Sequence, residues 1–248
     1  VVKSLSNDLI TTGPYVKKFE NLIKKTLKAK FALTCTSGTA ALHLAFMAIN
    51  LKKNDVIILP IINFVAASNL ASMLQAKIYF ADVCPNTGQM TPETLEACVK
   101  KNKLKNIKAV VAMYLGGNPD NIKNFYYLKK KYKFYLLEDA CHALGSKYIY
   151  NGKIYNVGCC IHSDICIFSL HPLKTITTGE GGIVTTNNLY IFNRLIKLKN
   201  SGIDRKDYKK KINFPHWLYD IKYPGLNYRL SDINSSLGYS QLKKINKF

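Results

Sequence analysis

Short apolar runs and longer amphipathic stretches take turns along this chain. Phe19, Leu22, Ile23 and Leu27 recur at helical spacing through a lysine-rich face, behind a Thr12-Gly13-Pro14 start. Phe31 to Cys35 is an apolar run of strand length, and Ala40 to Ile49 reads as a buried helix rich in Ala, Leu and Met. The alternation continues: strands at Val56–Pro60, Lys77–Val83, Ile107–Tyr114 and Phe134–Glu138, and helices over residues 64–74, about 92–101 and about 119–131. Asn151-Gly152 between Tyr148 and Tyr155 predicts a hairpin with a type I′ turn. Ile165 to Phe168 and Gly182 to Thr186 read as strands, and Leu189 to Leu198 as a helix. Residues 200–224 look irregular, aromatic and basic, with Trp217 beside His216. A Ser231-capped helix then shows Ile233, Leu237 and Leu242 on an expected apolar face. This rhythm predicts an α/β domain with a mostly parallel sheet, whose ligands bind at the carboxyl ends of the strands.

Composition narrows the class. The 248 residues are 48% hydrophobic, enough for one large core. No run approaches the ~20 apolar residues that span a bilayer, and no charged-then-apolar leader opens the chain, so a cytoplasmic, membrane-free protein is expected. The net charge of +21 suits anionic partners. A nucleic-acid partner is not expected, because no DNA- or RNA-binding signature accompanies the charge. Seven cysteines, an odd number without a C-x-x-C pair, fit free thiols in a reducing compartment. Cys160, His162, Asp164 and Cys166 would share a face if they lay on one strand. Such a row extends over ~20 Å at ~3.3 Å per residue and does not close a tetrahedral shell, so no metal is expected. Asn234-Ser235-Ser236 matches a glycosylation acceptor, with no secretion signal to support it.

Three stretches carry chemistry at the predicted ligand edge. Thr36-Ser37-Gly38-Thr39 joins a strand to a helix, so unpaired N–H groups, Gly38 and the Thr39 hydroxyl could cradle an anion; an ordinary capped helix is the competing reading. Glu138-Asp139-Ala140-Cys141-His142 closes a strand with two acids and a histidine. A carboxylate there either caps a following helix or faces a cation. In Ser169 through Lys174 to Gly182, one lysine sits among Leu, Pro, Thr and Ile, apart from the polar lysine runs. It could be kept neutral and nucleophilic, or could pack its stem while its head reaches water. Together the three suit pyridoxal 5′-phosphate, which needs phosphate donors, a carboxylate for its pyridine nitrogen and a lysine for its aldehyde.

At these residues the sequence resembles the DegT/DnrJ/EryC1/StrS nucleotide-sugar aminotransferases, which are fold type I PLP enzymes. The matching motifs are Thr36 to Leu42, Glu138 to Gly145, Phe168 through Lys174 to Gly182, Asn227-Tyr228-Arg229-Leu230, and the opening from Leu9 to Glu20. Within that family it looks most similar to members acting on pseudaminic-acid-type sugars, through His142 to Ser146, Ile176 to Thr178 and Leu237 to Lys244.

The resemblance implies a three-layer α/β/α large domain, aspartate aminotransferase-like, over residues 1–230. Residues 231–248 would begin the connection to a small C-terminal domain absent from this chain. It implies that Lys174 forms the internal aldimine and shuttles a proton, that Asp139 pairs with the pyridinium, and that His142 lies near the phenolic oxygen. Gly38, Thr39 and Ser169 would hold the phosphate, and Phe64 would stack on the ring. Asn227 would reach the phosphate of a neighbouring subunit's cofactor in a homodimer. Glutamate would donate the amino group to a 4-keto, 6-deoxy sugar on a nucleotide diphosphate, on the way to a cell-surface polysaccharide. A dehydration or deamination on the same scaffold, or a non-catalytic anion-binding role, are the other readings. Lysine rather than histidine at position 174 argues against the family's sugar dehydratases.

Overall fold

The structure, a computed structural model, describes residues 1–204 and 217–248. In chain order the elements are α1 (Val2–Leu5), α2 (Pro14–Leu27), β1 (Phe31–Cys35), α3 (Gly38–Ala48), β2 (Val56–Pro60), α4 (Ala66–Met73), β3 (Lys77–Ala81) and α5 (Pro92–Lys101). There follow β4 (Ile107–Met113), α6 (Ile122–Tyr132), β5 (Tyr135–Asp139), β6 (Lys147–Tyr150), β7 (Lys153–Asn156), β8 (Ile165–Ser169) and β9 (Gly182–Thr186). The last are α7 (Leu189–Leu198), β10 (Ile203–Asp204), β11 (Asp220–Ile221) and α8 (Asp232–Leu242).

Seven strands form one sheet in the order β1-β9-β8-β5-β4-β2-β3. Neighbours from β8 to β3 pair in parallel; β9 alone runs antiparallel to both its neighbours, β8 and β1. The strand period of two sends alternate residues to opposite faces. Val110, Ala112, Leu136, Cys166 and Phe168 meet α2, α5, α6 and α8 on one side. Ala109, Val111, Leu137, Ile165 and Ile167 meet α3, α4 and α7 on the other. The architecture is therefore three-layer α/β/α, with a core on each face of the sheet. No helix among the described residues is long and apolar enough to cross a membrane.

The hairpin β6–β7 turns at Asn151 and Gly152, both at positive φ, as a type I′ turn requires. Four expectations change. The helix expected from Phe64 starts at Ala66, which leaves Phe64 in the loop after β2. The row from Cys160 to Cys166 is no strand before Ile165: Cys160 lies at φ 50° in a turn, so the four side chains do not share a strand face. Residues 200–224 contain the paired strands β10 and β11; His216 lies outside the described residues, and Trp217 is exposed. Lastly, α8 does not bury the expected apolar stripe of Ile233 and Leu237. It buries Asp232, Ser235, Ser236, Gly238 and Leu242, because it packs closely on α2 and on the loop at Thr178. Asp232 accepts hydrogen bonds from Val16 N at 2.9 Å and Asn7 Nδ2 at 3.3 Å. It thereby serves the first turn of α2, whose N-cap Gly13 has no side chain to do so.

Candidate active site

The carboxyl ends of β1 and β8 flank the amino end of the reversed strand β9. Gly182 pairs with Ser169 on one side and Cys35 on the other. A Cβ on Gly182 would stand 2.2 Å from the Ser37 carbonyl oxygen, so only glycine lets the β1–α3 turn come this close. Ser37 caps α3, its Oγ accepting from Ala40 N at 3.0 Å. The first intrahelical bond runs from Ala41 N to Ser37 O. The N–H groups of Gly38 and Thr39 stand ahead of that bond and face out of the helix start. Gly38 lies against Ser169: a Cβ there would be 3.0 Å from Ser169 Cβ and 3.3 Å from its Oγ.

Ser169 opens the loop that carries Lys174. The loop folds back on Leu170, whose carbonyl accepts from Thr177 Oγ1 at 2.9 Å and Thr178 N at 3.1 Å, while Leu170 N donates to Gly181 O at 2.8 Å. Asn234 on α8 braces it from behind, donating to Thr178 O at 2.6 Å. Lys174 N donates to His171 O at 2.9 Å, which fixes a turn at the lysine. The neighbours expected to shelter Lys174 do so only in part. Ile176 is buried, but Leu173 is 86% exposed. What Lys174 faces instead is the end of β5: its charge acts on Asp139, Cys141 and His142.

Asp139 is 5% exposed. Burial pushes its carboxyl above the ordinary aspartate range. Hydrogen bonds from Cys141, including its backbone N–H at 3.2 Å, and the charges of His142 and Lys174 pull it back. His142 is held below the ordinary imidazole value by burial, then by Lys174, against the opposing pull of Asp139. No helix starts after Asp139, so the helix-cap reading of that carboxylate does not hold. Glu138, next in sequence, is also buried. It accepts from Tyr114 Oη at 3.0 Å and from Ser163 Oγ, and burial raises it to about 7 despite those donors.

Phe64 lies in the loop after β2, 67% exposed. Asn227 is exposed, on a strap alongside β1 and α7. That strap is pinned by Tyr228 N to Lys199 O (3.0 Å), Thr36 N to Tyr228 O (3.1 Å), Tyr228 Oη with His43 Nδ1 (3.0 Å) and Arg229 to Asn200 Oδ1 (2.6 Å). The structure thus gathers Gly38, Thr39 and Ser169 at one point, and Asp139, His142 and Lys174 at another beside it. Phe64 follows β2, two strands from Asp139, and Asn227 adjoins Tyr228, whose carbonyl accepts from Thr36 N just before the Ser37-Gly38-Thr39 turn. Sequence reading overlooked Cys141, the Tyr228–His43 contact and the partners of Glu138. A thiol two residues after Asp139 was the one visible signal.

The profile of the DegT/DnrJ/EryC1/StrS aminotransferase family matches residues 1–248. A UDP-4-amino-4,6-dideoxy-N-acetyl-β-L-altrosamine transaminase of Campylobacter jejuni is 38% identical over 99% of this chain and 61% of its own length. Among solved structures, Helicobacter pylori PseC, an aminotransferase of pseudaminic acid biosynthesis, superposes with a TM-score of 0.84 at 29% identity, over 99% of this chain and 62% of that one. A putative sugar aminotransferase of Streptococcus pneumoniae in its PMP form superposes with a TM-score of 0.87 at 26% identity, over 99% and 64%. The chain therefore spans a little under two thirds of the length of these relatives.

Proposed function

The chain belongs to the DegT/DnrJ/EryC1/StrS aminotransferase family, and from that premise we propose that it transfers an amino group from glutamate to a 4-keto, 6-deoxy sugar carried on a nucleotide diphosphate, with pyridoxal 5′-phosphate as cofactor. The observation that carries the reading is the convergence of Lys174, Asp139 and His142 beside the contact of Gly38 with Ser169.

The residues fit the cofactor. A Cβ at Gly38 would meet the Ser169 side chain, so a helix start with unpaired N–H groups and a serine hydroxyl come together there, which is phosphate chemistry. The buried Asp139 has a carboxyl raised by burial, and a cationic N–H partner would lower it again. When bound, the cofactor supplies an aldehyde and an electron-withdrawing ring.

Each side chain then has a task. Gly38 N, Thr39 N and Ser169 Oγ hold the phosphate. The Asp139 carboxylate keeps a proton on the pyridine nitrogen. His142, whose imidazole is shifted toward its neutral form by burial and by Lys174, would donate a hydrogen bond to the phenolic oxygen. Lys174 Nζ would anchor the cofactor through its aldehyde and could carry a proton at the substrate carbon. Phe64 covers one face of the ring and limits water there.

The active unit is a homodimer. Exposed Ile61, Ile62, Phe64 and Val65 form an apolar rim at the site that suits a second subunit, and Asn227 on its pinned strap is free to reach across. The net charge of +21 suits the anionic substrate, and free thiols suit the cytoplasm. The similarity to transaminases and to PseC favours a pseudaminic-acid-type sugar and a role in cell-surface glycan synthesis. Borohydride treatment of protein loaded with the cofactor should fix it to Lys174 and leave Lys174→Ala unlabelled. Glutamate with a 4-keto nucleotide sugar should then yield 2-oxoglutarate. An adduct retained in Lys174→Ala would refute the role of the lysine, and consumption of sugar without 2-oxoglutarate would refute transamination.

A further inference from the structure

Asn63 is the last residue before Phe64, at the carboxyl end of β2. Its side-chain Oδ1 and Nδ2 are both buried, and neither has a hydrogen-bond partner. Such a group loses its water on folding and gains nothing in return. Few buried amides are left with both atoms unpaired, so the position calls for an external partner.

The order of the strands says where that partner lies. The phosphate cradle is at β1, β9 and β8, Asp139 is on β5, and β2 lies two strands further on, about 10 Å from β5 at ~4.8 Å per strand. A pyridine ring with its phosphate at Ser169 and its nitrogen at Asp139 would turn its other edge toward β4 and β2. That edge carries the phenolic oxygen. With the aldehyde assigned to Lys174 and the ring methyl group apolar, the phenolic oxygen would be the polar substituent left on the side of Asn63. The amide atoms of half-buried Asn63 are covered, next in the chain to Phe64, the exposed ring expected to cover the cofactor.

We infer that the Asn63 carboxamide is a cofactor-binding group that donates through Nδ2 to the phenolic oxygen of the pyridine ring. This rests on the cofactor assigned above and adds a contact on the far edge of the ring from the phosphate. His142 would meet the same oxygen from the β5 side, so the oxygen has two donors and is held as the anion.

The test uses the full-length protein, freed of cofactor. Wild type, Asn63→Leu and Asn63→Asp are titrated with pyridoxal 5′-phosphate and with its 3-deoxy analogue, which lacks the phenolic oxygen, and the melting temperature of each apoprotein is recorded. Asn63→Leu should bind pyridoxal 5′-phosphate about tenfold or more weakly. It should bind the 3-deoxy analogue as wild type does, and its apoprotein should melt no lower than wild type. Asn63→Asp keeps the shape and loses the donor, and should show the same selective loss. Equal binding of pyridoxal 5′-phosphate by wild type and both variants would overturn the inference, and so would equal loss of both ligands. A wild type that takes up neither ligand would overturn the cofactor assignment itself, and the inference with it.

Discussion

Replacing Gly38 by alanine separates what the helix start does for the fold from what it does for the cofactor. The new Cβ would sit 3.0 Å from Ser169 Cβ and 3.3 Å from Oγ. These distances are tight, and Ser169 must yield by a few tenths of an ångström. Against that, alanine is preferred over glycine in a helix by ~0.5–1 kcal/mol. The two effects oppose each other, so the apoprotein should change in stability by no more than about 1 kcal/mol. Cofactor affinity has no such compensation. On the roles proposed above, the methyl group would enter the space between two phosphate donors and push the Ser169 hydroxyl aside. One charge-assisted hydrogen bond lost is worth ~1.5–3 kcal/mol, or about a tenfold to hundredfold weaker Kd at ~1.4 kcal/mol per decade. Equilibrium dialysis with pyridoxal 5′-phosphate measures the loss, and the same titration with pyridoxal, which has no phosphate, isolates its origin. The reasoning fails if Gly38→Ala binds pyridoxal 5′-phosphate like wild type, or if pyridoxal is weakened by the same factor.

Two further changes test the scaffold. Asp232→Ala removes the buried acceptor of Val16 N and Asn7 Nδ2, and with it the cap of α2. Loss of a cap together with stranded donors should cost about 2–4 kcal/mol, read by urea denaturation at an unchanged m-value; a loss under about 1 kcal/mol would mean that water replaces the carboxylate. Glu138 carries a pH signature. Its carboxyl lies at about 7 in the fold against an ordinary 4.5, so the folded state keeps a proton that the unfolded chain releases. Its contribution is complete below pH ~4.5 and is lost as pH rises to ~7, about 3 kcal/mol in all. Glu138→Gln should flatten apoprotein stability across that window, and an unchanged slope would assign the pH dependence to other groups.

The strands were legible because their apolar runs end abruptly. β1 and β9 give way to Thr36-Ser37 and Asn187-Asn188, and β2 and β8 end on Pro60 and Ser169. The placing of Ser37-Gly38-Thr39, Asp139 and Lys174 at one sheet edge was legible because each lies at or after the end of such a run. The buried face of α8 was not. Helical periodicity looks for Ile233 and Leu237, whereas the contact uses Ser235, Ser236 and Gly238 because α2 and Thr178 come too close for larger side chains. The shelter of Lys174 was misplaced for a related reason. Its neighbours in sequence seemed to supply it, but Leu173 points outward, and the groups around the amine come from β5. The partnerless amide of Asn63 had no signal at all, since an unmet hydrogen bond shows only when the surrounding chain is in place.

The reversal of β9 explains why the lysine is where it is. Had β9 run parallel to β8, the chain leaving Ser169 would have needed a crossover to the opposite edge of the sheet, a path that usually takes a helix. An antiparallel neighbour needs only a return, and residues 170–181 make it without leaving the ligand edge. The loop is tied at both ends, by Leu170 N to Gly181 O and by the two donors on Leu170 O, so Lys174 is offered from a closed loop rather than a free tail. The same reversal sets the amino end of β9 between the carboxyl ends of β8 and β1, and Gly182 there admits Ser37 to within a distance no side chain would allow. Helix start, lysine loop and Ser169 therefore meet through one backbone decision. Its sign in the sequence is the pair Gly181-Gly182, which serves this approach as well as the turn that aims the lysine.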